Sequence, residues 1–110
     1  MTATLPERVA STGCTLTTLV PDARASRRAR RVVYESCVRG KVDSELADDA
    51  MNMAAELVAE VVTEVVNDLA TDVVAPDGEA VRLEVQARPG EVTVTVRDTA
   101  GHERTGSVHE

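Results

Sequence analysis

Four carboxylates, Glu56, Glu60, Glu64 and Asp68, recur four residues apart within one long segment of helical apolar periodicity. Like charges at this spacing repel by roughly 0.2–0.5 kcal/mol per pair on a helix. A four-residue step turns the helix by about 400°, so the series drifts diagonally across its surface. Against an apolar stripe centred on Ala54 and Val61, Glu56 faces water, Glu60 lies on the flank, Glu64 at the boundary and Asp68 on the apolar face. Glu56 therefore reads as a solvated residue. A carboxylate beside a core requires a partner, a metal, a proton or a pocket, and this makes Glu64 and Asp68 candidates for chemistry.

A second constellation has the opposite sign. Arg24, Arg27, Arg28, Arg30 and Arg31 crowd one short segment of a chain whose formal net charge is −7. A local basic patch on an acidic protein suits an acidic partner surface better than a long polyanion; its plain alternative is a solvated helix face. Other chemistries find little support. Ser26, Ser36 and Ser44 have no nearby histidine to activate them. No Gly-rich loop precedes a Lys-Ser or Lys-Thr pair. His102 and His109, with Glu103 and Glu110, match no metal-ligand spacing and read as exposed.

The elements that position these residues follow from periodicity. Residues 14–20 alternate apolar and polar and predict a strand, ended by Pro21-Asp22, with Asp22 as a helix N-cap. Residues 23–39 predict a helix whose apolar stripe is Ala25, Ala29, Val32, Val33 and Cys37, with Gly40 at its C-cap. Asp43-Ser44 caps a longer helix over residues 45–70, with Leu46, Ala50, Met53, Ala54, Leu57, Val58, Val61, Val62, Val65 and Leu69 on one face. Pro76, Asp77 and Gly78 place a turn or loop at 72–79. Residues 80–87 and 91–97 are two alternating strands joined at hairpin distance by Pro89-Gly90. The order β-α-α-β-β predicts an α/β two-layer fold, a small antiparallel or mixed sheet covered on one face by two helices. Residues 1–13 read as a loose leader, 14–98 as the domain and 99–110 as a loose polar tail.

With 110 residues the chain fits one domain. It lacks Trp and Phe, and Tyr34 is its only aromatic, so its core must be built from small residues. The acidic balance argues against a general nucleic-acid binder. No apolar run is long enough for a bilayer or a signal peptide, so no membrane association and a cytosolic setting are expected. Cys14 and Cys37 would then be reduced thiols, with a bridge between them as the alternative.

The stretch Asp48-Asp49-Ala50-Met51-Asn52-Met53-Ala54-Ala55-Glu56-Leu57-Val58 resembles the helix that carries the N-box of histidine-kinase-like (GHKL) ATPases, most closely the bacterial anti-sigma-factor serine kinases. Ala25-Ser26-Arg27-Arg28-Ala29-Arg30-Arg31-Val32-Val33 is similar to that subfamily's first helix. Val92-Thr93-Val94-Thr95-Val96-Arg97-Asp98 looks like the strand that delivers its adenine-contacting aspartate. The resemblance spans about residues 14–101 and implies a partial Bergerat-type fold. In the family the N-box reads roughly Glu-Leu-Val-x-Asn-Ala-x-x-His, its Glu a general base and its Asn a magnesium ligand. Two registers fit. In one, Glu56 opens the box, with Glu60 at the Asn position and Glu64 at the His position. In the other, Glu60 opens it, with Glu64 and Asp68 in those places. The implied base is thus Glu56 or Glu60, the implied magnesium ligand Glu60 or Glu64, and the implied adenine contact Asp98.

The departures bear on activity. In both registers glutamate replaces the asparagine. A carboxylate can ligate magnesium, but it would also repel triphosphate oxygens by about 4 kcal/mol at ~4 Å and an effective dielectric near 20. The family's Asp-x-Gly-x-Gly turn stands here as Asp98-Thr99-Ala100-Gly101-His102: the aspartate is kept, Gly101 is shifted, and side chains replace the flanking glycines. By its own residues Asp98 is equally a strand-end aspartate that caps a turn. Residues 102–110 are too few and too polar to supply the family's ATP lid. The expectation is a regulatory protein-interaction domain that has lost most nucleotide chemistry, is not an enzyme and carries no cofactor. As the resemblance implies, it would take part in partner-switching control of transcription, with a sigma factor or an antagonist-like protein as partner. Arg24, Arg27, Arg28 and Arg31 would form its partner face, and homodimerisation is an equally good use of an open sheet edge. The alternative is an ATP-binding protein or serine kinase with an unorthodox magnesium site, with Asp98, Gly101, Glu60 and Glu64 around ATP and Mg.

Overall fold

A computed structural model describes residues 7–11, 13–70, 80–99 and 101–110, with side chains described for 13–65, 80–99 and 101–110. The elements are β1 (Glu7–Ser11), β2 (Cys14–Leu19), α1 (Ala25–Arg39), α2 (Ser44–Ala70), β3 (Val81–Arg88), β4 (Glu91–Asp98) and β5 (Glu103–His109). The strands form one five-stranded sheet in the order β1-β2-β3-β4-β5, every neighbouring pair antiparallel. The two helices lie on one face: α1 over β2 and β3, α2 over β4 and β5. This is the expected two-layer α/β fold. No helix among the described residues is long and apolar enough to cross a membrane.

The core is assembled from small residues. Ala25, Ala29, Val32, Val33 and Cys37 of α1 meet Leu46, Ala47, Ala50, Ala54, Val58, Val61 and Val65 of α2 and the alternating Val81, Leu83, Val85, Val92, Val94 and Val96 of the sheet. Small side chains let the layers approach closely, and the molecule is only 20 Å deep along its shortest axis. The opposite face of the sheet carries exposed Leu16, Thr18, Arg82, Glu84, Gln86 and Arg97.

Gly90 turns the β3–β4 hairpin with φ +85°, as the Pro89-Gly90 pair predicts. Gly40 ends α1 for a different reason from the one expected. Its φ is −82°, and the left-handed residue is Lys41 at φ 58°. What excludes a side chain at Gly40 is the Ala87 carbonyl oxygen, 2.4 Å from where a Cβ would stand. Asp22 acts just before α1 rather than as its cap: its Oδ1 accepts the Arg24 N–H at 2.8 Å, and Arg24 is the N-cap residue.

Two expectations need correction. Residues 7–11, within the expected loose leader, form β1, paired with β2 through a register shift between Val9 and Ser11. Residues 103–109, within the expected loose tail, form β5, paired with β4 along its whole length. Its specification is cross-strand rather than hydrophobic. Opposite β4 it sets Ser107 against Thr93, with hydroxyls 3.1 Å apart, and Glu103 against Arg97, an ion pair at 2.7 Å. Such pairs contribute a few tenths of a kcal/mol to about 1 kcal/mol each. On the inner face Gly106 admits α2: a Cβ there would stand 2.7 Å from Met53 Sδ. Cys14 and Cys37 are both free thiols. The turn expected at 72–79 and the side chains of Asp68 and Leu69 lie outside the described residues.

Candidate functional site

The acidic diagonal runs as its helical geometry requires. Glu56 is exposed, the Glu60 side chain is 57% exposed and that of Glu64 only 24%. α2 crosses β4 and β5, so this descent ends against the β4–β5 turn. Asp98 closes β4 there with a fully buried side chain.

The turn is built around that carboxylate. The Asp98 N–H donates to the His102 carbonyl at 3.0 Å, and the Gly101 N–H to the Asp98 carbonyl at 3.4 Å. Asp98 Oδ1 accepts the His102 N–H at 2.8 Å, and Oδ2 lies 2.6 Å from His102 Nδ1. Gly101 has φ +98°, with nothing within 4 Å of a would-be Cβ; its role is the conformation of the turn. Asp98 therefore caps a turn, one of its two alternatives.

The same imidazole presents Nε2 to Glu64 Oε2 at 3.3 Å. Arg104, at the start of β5, bridges the two helix glutamates, with Nε 3.2 Å from Glu60 Oε1 and Nη2 bonded to Glu64 Oε1. Of the predicted site residues, Glu60, Glu64 and Asp98 are brought together. Glu56 stays in solvent and Gly101 sits in the exposed turn. The residues that join them, His102 and Arg104, are ones that sequence reasoning placed in a solvated tail. The available signals were the i,i+4 spacing of Asp98 and His102 around a glycine, and the period-2 series Arg104, Gly106, Val108. His102 thus lies between two carboxylates, hydrogen-bonded to Asp98 and within ion-pair distance of Glu64. Among the described residues no group of three or more His, Cys, Asp and Glu side chains could hold a metal ion.

The arginines occupy a separate surface. Arg24, Arg27, Arg28, Arg30 and Arg31 are all exposed on or beside α1. Arg31 Nε lies 3.5 Å from Glu35; the other four have no ion-pair partner among the described residues. Helical spacing aligns Arg27, Arg31, Tyr34 and Val38 on the face opposite the core. Tyr34 is 54% and Val38 59% exposed, two of the few large apolar side chains left in water. Beside this stripe, Arg28, Arg31, Val32 and Glu35 border a groove of about 460 Å³ whose other wall is Thr17, Thr18 and Leu19 of β2. Arg39 points elsewhere, its Nη2 donating to Thr15 Oγ1 at 2.5 Å, with the Thr15 and Ser36 hydroxyls 2.6 Å apart.

No protein-family model, no curated protein and no solved structure matches this chain.

Proposed function

We propose that this chain is a regulatory protein-interaction domain of the cytoplasm, resembling an anti-sigma-factor-type ATPase that has lost most nucleotide chemistry, and that it works by partner switching in the control of transcription. One observation carries the reading. The carboxylates that the resemblance assigns to magnesium and adenine are held by the chain's own side chains: Glu60 and Glu64 by the Arg104 guanidinium, and Glu64 and Asp98 by the His102 imidazole.

A magnesium ion at Glu60 or Glu64 would stand beside the Arg104 guanidinium and face a fixed positive charge. An adenine amino group seeking Asp98 would meet a carboxylate whose two oxygens already accept from His102. The donor set therefore fits neither group without rearrangement. The rival reading, an ATP-binding protein or serine kinase, requires these contacts to open. Meanwhile Arg24, Arg27, Arg28 and Arg31 face solvent beside Tyr34, and Arg and Tyr are the residue types that most often dominate binding energy at protein interfaces.

The test compares wild type with an Arg27→Glu/Arg31→Glu variant as bait in extracts of the source cells, followed by titration of each captured protein in purified form. A purified binder whose affinity falls at least tenfold with the reversed face supports the proposal. Purified binders indifferent to the reversal contradict it.

A further inference from the structure

The two helices of the outer layer carry opposite charge. α1 bears Arg27, Arg28, Arg30, Arg31 and Arg39 against Glu35 alone. α2 bears Glu45, Asp48, Asp49, Glu56, Glu60, Glu64 and Asp68 and neither Lys nor Arg. On α2 the exposed members Glu45, Asp48, Asp49 and Glu56 lie opposite the buried stripe, as the exposed arginines do on α1. The two sets sit side by side, yet no ion pair links α1 to α2 among the described residues.

The helices are also held in a known register. Ser26, near the start of α1, donates its hydroxyl to the Ala55 carbonyl at 3.2 Å, whereas the end of α1 at Arg39 is joined to Ser44 through residues 40–43 alone. The pair is therefore antiparallel. Arg27 lies at the level of Glu56, and Arg31 at the level of Asp49 and Asn52.

We infer that the helical layer docks on a second copy of this chain, α1 of each protomer against α2 of the other. This deepens the interaction reading above and rests on it, because it uses the same arginine face. A two-fold axis parallel to the helices, above their exposed face and midway between them, places each α1 over the partner's α2 without shifting either along its length. The levels are then preserved. Arg27 meets the partner subunit's Glu56, Arg31 meets the partner subunit's Asp49, and Tyr34 and Val38 cover the start of the partner's α2. The alternative two-fold, with α1 on α1, would set arginine against arginine. The contact is small. A 15-residue helix is about 22 Å long, and two helices ~10 Å apart give roughly 450 Å² of flat face, below the ~800 Å² per partner of a standard interface. The dimer is accordingly weak, driven by charge and sensitive to salt.

The symmetry supplies a sharp test. An Arg27→Glu/Arg31→Glu chain sets acids against the acids at 49 and 56 of a like copy, and an Asp49→Arg/Glu56→Arg chain sets arginines against the arginines at 27 and 31, whereas the mixed pair restores opposite charge at both contacts. All four positions are exposed, and far-UV circular dichroism checks that each variant keeps the fold. By sedimentation equilibrium, wild type should dimerise at low ionic strength and dissociate at high, with a Kd at least tenfold weaker. Each variant alone should be monomeric, and the two mixed in equal amounts should form a one-to-one heterodimer. Wild type monomeric at low ionic strength, or variants that do not combine when mixed, would overturn the inference. If wild type is monomeric while Arg27→Glu/Arg31→Glu still loses a purified acidic partner, the self-docking fails and the interaction-face reading stands.

Discussion

His102 Nδ1 lies 2.6 Å from Oδ2 of Asp98, a carboxylate with no exposed side-chain surface. The contact closes a turn and gives the buried carboxylate a hydrogen-bond partner. Removing one partner of such a pair leaves the other unsatisfied, which usually costs more than the bond contributes. His102→Ala should therefore destabilise the domain by about 1.5–3 kcal/mol, read as a lower urea midpoint. Asp98→Ala removes the buried charge together with two acceptors, and should loosen β5 in amide exchange more than it loosens β2.

Arg104 holds two glutamates in unequal surroundings. Glu64, 24% exposed, also faces His102, whereas Glu60 is 57% exposed. Exposed ion pairs contribute little, with a median of about 0–1 kcal/mol. Glu60→Gln should leave the urea midpoint nearly unchanged, whereas Glu64→Gln should lower it measurably. Equal effects would show that burial does not set the strength of this cluster.

Gly106 lets β5 lie under α2, since a Cβ would come within 2.7 Å of Met53 Sδ and 3.4 Å of Leu57 Cδ1. Gly106→Val should cost about 1–3 kcal/mol through overpacking. Because the nearest atom is the flexible end of a methionine, Gly106→Val/Met53→Ala should recover much of the loss. Thermal unfolding of the two variants checks this.

Burial pushes the Cys37 thiol up from 9.0 to about 11, while Cys14 is half-buried. At pH 8 iodoacetamide should label Cys14 first and Cys37 only on unfolding. The neutral thiol is favoured in the folded state, so this contribution is complete below pH 9 and is lost as pH rises through about 11. Unfolding curves across that window should show stability falling with pH, and Cys37→Ala should flatten the slope.

The helices, β2, and the β3–β4 hairpin were legible in the sequence because their apolar residues recur at the period of their element. The stripe Ala25, Ala29, Val32, Val33 and Cys37 is buried throughout. β5 was not legible, because Val108 is its only large apolar residue and its pairing with β4 rests on polar partners that local pattern does not reveal. β1 was hidden similarly, its identity resting on a ladder to β2. The descent of Glu56, Glu60 and Glu64 toward the interior could be read from helical geometry alone. Their partners could not: His102 and Arg104 lie roughly 40 residues away in a segment whose strand character depends on the sheet already being formed.

Calorimetric titration of magnesium-ATP into wild type and Asp98→Ala shows whether the domain has lost its nucleotide chemistry. With Glu60, Glu64 and Asp98 held by Arg104 and His102, neither protein should give binding heat, nor a thermal shift, at millimolar nucleotide. Micromolar binding by wild type that disappears in Asp98→Ala would show instead an ATP-binding protein with Asp98 in its site.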